Sequence, residues 1–508
     1  MKHDVHTMPC LNSFSFRTFA VVAALTFLGT VPSSIAAQEE SGNFFEGFNS
    51  PLRSATSGGG ADQNGAVPEE PDSPQYEQLA SDALASGEVH PSQQIETELT
   101  DNKAYEQFRR TNTSTLSDIL KSGKGDPESM KVIDESLKQM LYSLTVKEHQ
   151  QSDEVNEIFE RIYYYFVYKI GENMTPTSAQ QYREQVYSRM LPLIEELLKQ
   201  NYRVRIQAAT LLSDLDLKLG DARNNVAPIP YRAAVELAVK HVMSDEQAEA
   251  VKISLMRSLQ KGLKYGGFAK NIRQKIAQVC IDELLKKADF WWYQRELIRT
   301  LTVCDVDTDE TGKPFVVHAL AVILSDPTRH YMVRSQAAHA LGRVPMTAAM
   351  QINFELLSYE LLNLSVEMAK ERNSRIDAYA SKNNQVPPQF LSHWGICFVN
   401  VYLAYNPLNA REKSDGIGLL QRTTRAGMNN NAAQVKQTYA LTLPMVRFIL
   451  TDGNLSNKFE DGWIQSGVDY LKDYPPGDLK VAPNTEPLVN LEPKSPDADR
   501  ATATASIK

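Results

Sequence analysis

The chain has 508 residues, 42% of them hydrophobic and 23% charged, with a net charge of −9. That length and composition exclude a wholly disordered chain and a disulfide-stapled miniprotein, and they allow several domains or one elongated repeat domain. The acidic balance excludes the basic face usual in nucleic-acid binding, so no nucleic-acid partner is expected.

Arg17 precedes the apolar run Phe19 to Leu28, which is followed by Gly29, Pro32 and Ser33-Ser34-Ile35-Ala36-Ala37. A basic residue, a short apolar stretch and a small-residue exit make the pattern of a cleavable signal peptide. Residues 1–37 are read as that signal, cut after Ala36 or Ala37, so the chain is expected to be exported, periplasmic or secreted. The run is too short to span a bilayer, and no later stretch is long and apolar enough, so no transmembrane segment is expected after cleavage.

Residues 38–100 are rich in Gly, Ser, Pro, Gln and acids, with twelve Asp or Glu against Arg53 alone. Such a segment buries too little apolar surface to offset its ordering entropy, and it is read as a disordered acidic linker. The rest of the chain, up to a Pro-rich tail over 475–508 also read as disordered, is near neutral.

Residues 101–177 are read as an N-terminal helical cap. Asp126 followed by Pro127 signals a helix start, after which Met130, Ile133, Leu137, Leu141 and Leu144 share one face. Phe159, Ile162, Phe166 and Ile170 mark the next helix, whose tyrosines at 163, 164, 165 and 168 suggest cover on more than one side.

From residue 178 to 345 one pattern returns. Val204–Leu212, Val251–Leu259, Tyr293–Leu301 and Val333–Leu341 begin 47, 42 and 40 residues apart. Each follows another apolar-periodic helix, two of which begin near Pro230 and Pro314. A period near 40 with two helices per unit indicates stacked helix pairs, because one pair cannot bury both of its apolar faces. The fold class is therefore all-α, a solenoid of helix pairs. Residues 346–474 are read as divergent helical repeats or a C-terminal helical domain, with Ser392 as a cap and Pro444 as a kink.

Val333-Arg334-x-x-Ala337-Ala338-x-Ala340-Leu341-Gly342 resembles the second helix of a HEAT repeat, of the type also seen in phycobiliprotein lyase-like HEAT proteins. The resemblance covers 179–343 and implies an armadillo-like α-α superhelix. It also implies a polar ladder between a turn Asp and a helix Arg, here Asp326 and Arg334 of the fourth unit.

No catalytic motif emerges, so no enzyme activity and no cofactor is expected. Asp305, Asp307 and Asp309 alternate as in a calcium loop, but Glu310 and Val316 stand where an EF-hand needs Gly and Glu. A solvated acidic loop is the plainer reading. His330, His339 and His318 lack the spacing of a zinc site. Cys280 and Cys304 fall on neighbouring helices and are read as buried thiols, a disulfide being the alternative. Consecutive aromatics at Phe290-Trp291-Trp292-Tyr293 cannot all face one way, which makes Trp291 and Trp292 the candidate anchors for a protein partner. A non-catalytic scaffold is the leading reading; a lyase-like or chromophore-binding protein, which needs a reactive Cys or a polar-lined pocket, and a calcium-stabilised structural protein are the alternatives.

Overall fold

The computed structural model describes residues 98–150, 152, 154–221, 223–286, 290–382, 385–406, 418–425, 431–451 and 457–488. Residues 1–37, read above as a signal peptide, nearly all of 38–100, read as an acidic linker, and residues 489–508 of the tail lie outside the described residues.

The described residues are almost entirely helical. The N-terminal part holds α1 (Asn102–Ser122), α2 (Pro127–Tyr142), α3 (Lys147–Gln150) and α4 (Glu154–Tyr163), the last running into a π-helical turn at Tyr164–Tyr168. Asp126 accepts a hydrogen bond from Ser129 N, and Pro127 occupies the first helical position, as the sequence indicates. The expected cover of the tyrosine-rich helix is only partial. Tyr164 and Tyr168 are exposed, while Phe166 and Val167 are buried. The wider π turn rotates consecutive side chains off the helical stripe.

Five helix pairs follow. They are α5 (Pro176–Leu197) with α6 (Tyr202–Ser213), α7 (Arg232–Val242) with α8 (Glu249–Tyr265), α9 (Lys270–Leu285) with α10 (Trp291–Val303), α11 (Phe315–Ser325) with α12 (Tyr331–Arg343), and α13 (Phe354–Ser381) with α14 (Pro388–Tyr405). The second helices pack in succession, α6 on α8, α8 on α10, α10 on α12 and α12 on α14. All four segments singled out by periodicity are thus second helices of consecutive pairs. Ala208, Ala209, Ala337 and Ala338 are fully buried where these helices meet.

A short hairpin, β1 (Asp216–Lys218) paired antiparallel with β2 (Ile229–Pro230), intervenes between α6 and α7. It was not expected from the sequence. It accounts for the first spacing of 47 residues, since the extra chain forms this excursion without altering the helix pairs.

The C-terminal region continues the same packing. α13 meets α11 and α14 meets α12, while α16 (Ala432–Thr451) and α17 (Asp461–Asp473) lie on α13, and α15 (Leu419–Arg422) bridges α14 and α16. One hydrophobic cluster extends from Tyr105 to Leu488. Ser392 falls inside α14, which starts at Pro388, so it does not cap. Pro at the first turn is the start signal that wins.

The tail also departs from expectation. Residues 475–488 are packed: Val481, Ala482 and Leu488 are buried, and Val481 O accepts from Asn353 N at 2.9 Å. Three apolar side chains and backbone bonds to the start of α13 hold a segment whose prolines suggested disorder. No helix among the described residues is long and apolar enough to cross a membrane.

Candidate functional site

The turns inside successive pairs lie along one edge and are tied to one another. Arg205 at the start of α6 donates to Glu246 O in the α7–α8 turn at 3.1 Å. Lys286, closing α9, pairs with Asp245 of that same turn at 2.8 Å. Arg329, in the α11–α12 turn, donates to Gln294 in the first turn of α10. Asp326-Pro327 forms the expected tight turn, with Asp326 Oδ1 accepting from Thr328 N at 3.0 Å.

Aromatic rings line this edge. Trp291 stacks on His330 with centroids 5.1 Å apart and planes inclined by 12°. His330 meets His393 edge-on at 5.2 Å, and His393 meets Trp394 at 5.1 Å. Tyr331 lies 5.4 Å from Trp394. The row therefore crosses α10, α12 and α14. Its positions are set locally: His330 Nδ1 caps α12 by accepting from Met332 N, and Pro388 starts α14 so that His393 falls on its second turn. Burial, with the His330 ring and Arg375 adding to it, holds His393 down to about 4, so its ring is neutral.

Trp291 is half-buried in this row, whereas Trp292 stands 48% exposed, its ring only 5.9 Å from Phe290. Leu285 and Met243, which close the first helices of two successive pairs, are also exposed. Isolated exposed apolar residues are ordinary, but here they share an edge with a row of rings that is half-buried up to the fully buried Trp394. The run of consecutive aromatics at 290–293 pointed to Trp291 and Trp292. His393, Trp394 and Tyr331 were missed as members of the row, because nothing local joins residues about 40 to 100 positions apart.

The remaining candidates are not brought together. Asp307 pairs with Lys270 at 2.6 Å, Asp305 faces Arg273 at 3.8 Å, and Asp309 accepts from Thr311 N and Lys313 N of its own loop. Each carboxylate thus serves a different partner, and among the described residues no three His, Cys, Asp or Glu side chains form a group able to hold a metal ion. His318 faces Glu486 O at 3.1 Å, and His339 lies against Gln336. Neither reaches His330 within the ring row. The implied ladder is also different: Asp326 bonds Arg329, while Arg334 donates to Leu324 O and pairs with Glu367 of α13. Arg329 sits one turn closer to Asp326 and takes the carboxylate first.

Cys280, Cys304 and Cys397 are buried free thiols. Burial pushes Cys304 and Cys397 up to about 12 and Cys280 well above the usual range. A thiol held protonated in an apolar setting is a poor nucleophile.

No protein-family profile matches the chain, and no curated protein matches it. Among solved structures, the crystal structure of an engineered protein is 11% identical with a TM-score of 0.26, covering 74% of this chain and 98% of that one.

Proposed function

We propose that this chain is an exported, non-catalytic scaffold of HEAT-like helix pairs, stacked as a superhelix, that binds another protein along the edge carrying Trp292. The export reading rests on the sequence of residues 1–37. The superhelical reading is supported by the succession of second helices, each packed on the next. Such stacks present long surfaces for partners.

The observation that carries the binding reading is the exposed Trp292 beside the row Trp291–His330–His393. Tryptophan is enriched among residues that dominate interfaces, since a large rigid ring gains much on desolvation. A row already half-buried needs little further ordering to complete a partner's pocket. The three inert thiols favour this reading over a lyase-like one.

The test is affinity capture from an extract of the protein's own cells, with the full chain, the Trp292→Ala chain and a chain lacking 38–100. The reading expects a discrete protein in stoichiometric amount, retained without 38–100 and weakened about tenfold or more by Trp292→Ala. Empty captures, or a partner indifferent to Trp292, overturn it.

A further inference from the structure

A cavity of about 260 Å³ opens where the first two pairs meet, between the end of α5, the start of α6 and the α7–α8 turn. His241 and Gln247 line it, and both are more than nine-tenths buried. Gln247 Nε2 donates to Leu198 O at 2.8 Å, which fixes the amide orientation, since the opposite one would set two acceptors face to face. The same NH2 group lies 3.2 Å from His241 Nδ1, so Nδ1 accepts and the ring proton sits on Nε2. Burial, first among its surroundings, holds His241 below its ordinary value, consistent with a neutral ring. Two buried polar atoms then stand without hydrogen-bond partners among the described residues, the His241 Nε2–H donor and the Gln247 Oε1 acceptor. Such orphans are rare in folded proteins and call for an occupant.

The charges around the cavity are unequal. Glu195 and Lys240 pair with each other. Arg205 donates through Nε to Gln200 O and through Nη1 to Glu246 O, leaving Nη2 without a bond among the described residues. Lys199 is exposed and has no ion pair among them. Two cations without an ion pair among the described residues therefore face one such anion, the exposed Glu246.

We propose that this cavity binds a carboxylate that carries a hydrogen-bond donor on the adjacent atom, as in a small α-hydroxy or α-acylamino acid or the C-terminal residue of a peptide. Lys199, Arg205 and the His241 Nε2–H face the carboxylate, and Gln247 Oε1 accepts from the adjacent donor. A charge-assisted bond from Arg205 Nη2, with the Lys199 ammonium lining the same cavity, makes a carboxylate the complement to these cations.

The probes are glycolate, N-acetylglycine, acetate, and triglycine as the free acid and as the C-terminal amide. They are titrated into the full chain by calorimetry. Glycolate, N-acetylglycine or the free-acid tripeptide should bind with Kd of about 1 mM or tighter, and acetate and the amide about tenfold more weakly. Binding by the peptide acid alone assigns the site to a chain terminus. Binding by the small acids as well assigns it to a free acid. Lys199→Gln, at an exposed position, should weaken binding about tenfold, and the His241 Nε2 resonance should move on saturation. No binding by any acid, equal binding of acid and amide, or an unchanged affinity in Lys199→Gln each overturns the proposal. Trp292→Ala should leave this binding intact, which separates it from the partner edge.

Discussion

Lys252 Nζ lies 2.7 Å from Glu283 Oε2, and each of these side chains is only 6% exposed. The pair joins α8 to α9, and Tyr293 of α10 adds its hydroxyl to the same oxygen at 2.8 Å. Lys286 binds the other oxygen at 2.7 Å. Burial by itself raises the Glu283 carboxyl, but the hydrogen bonds from Lys252, Lys286 and Tyr293 outweigh it and hold the group below its usual value.

Removing one member of a buried pair strands the other. Lys252→Met is expected to cost about 3–5 kcal/mol, while Lys252→Met with Glu283→Leu costs less than the two single changes together. Urea unfolding of the four chains measures this. Additive costs would show that the two side chains do not act as a unit.

At Gly342 the close approach of α12 and α14 excludes any side chain. An added Cβ would lie 2.8 Å from Ala404 Cα and 2.9 Å from Ala404 O, both backbone atoms that cannot turn away. Gly342→Ala should therefore destabilise by about 1–3 kcal/mol as the helices separate, despite alanine's better helix propensity. A melting temperature equal to or above that of the parent chain would contradict the packing described here.

Glu360 is fully buried, and neither of its carboxylate oxygens has a hydrogen-bond partner within 3.5 Å and of good geometry among the described residues. Burial raises it to about 8, Glu367 adds to the rise, and Arg334 and Asn363 oppose it. Between an ordinary value near 4.5 and about 8, the folded chain holds a proton that the unfolded chain has lost. Stability contributed by this group is complete below that window and declines as pH rises through it, by up to about 1.4 kcal/mol per pH unit. Glu360→Gln should flatten the decline, so its melting temperature exceeds the parent's more at pH 8.5 than at pH 5. Parallel pH profiles would remove Glu360 as the cause.

The three buried cysteines should react with a small alkylating reagent only as the chain unfolds, so that at a fixed pH the rate follows denaturant. Rapid modification of Cys280, Cys304 or Cys397 in the native chain, located by peptide mapping, would restore the case for a thiol-dependent activity.

The helices were legible because their signals are local. Asp126-Pro127 caps a helix whatever surrounds it, and the apolar periodicity at 204, 251, 293 and 333 marks second helices without knowledge of their neighbours. The aromatic run 290–293 likewise betrays Trp292, since four consecutive rings on a helix cannot all be buried on one side. Composition misjudged 475–488, where three apolar side chains outweigh the prolines once α13 offers them cover. Other features depend on which helix lies opposite. Arg334 meets Glu367 rather than Asp326, and His330 meets His393 rather than His318 or His339. The cavity at His241 exists only where α5, α6 and the α7–α8 turn converge. Periodicity specifies a helix and its apolar face from neighbours three and four residues away, but the partner of a polar or aromatic side chain is chosen by packing between segments tens of residues apart, and only the tertiary structure decides it.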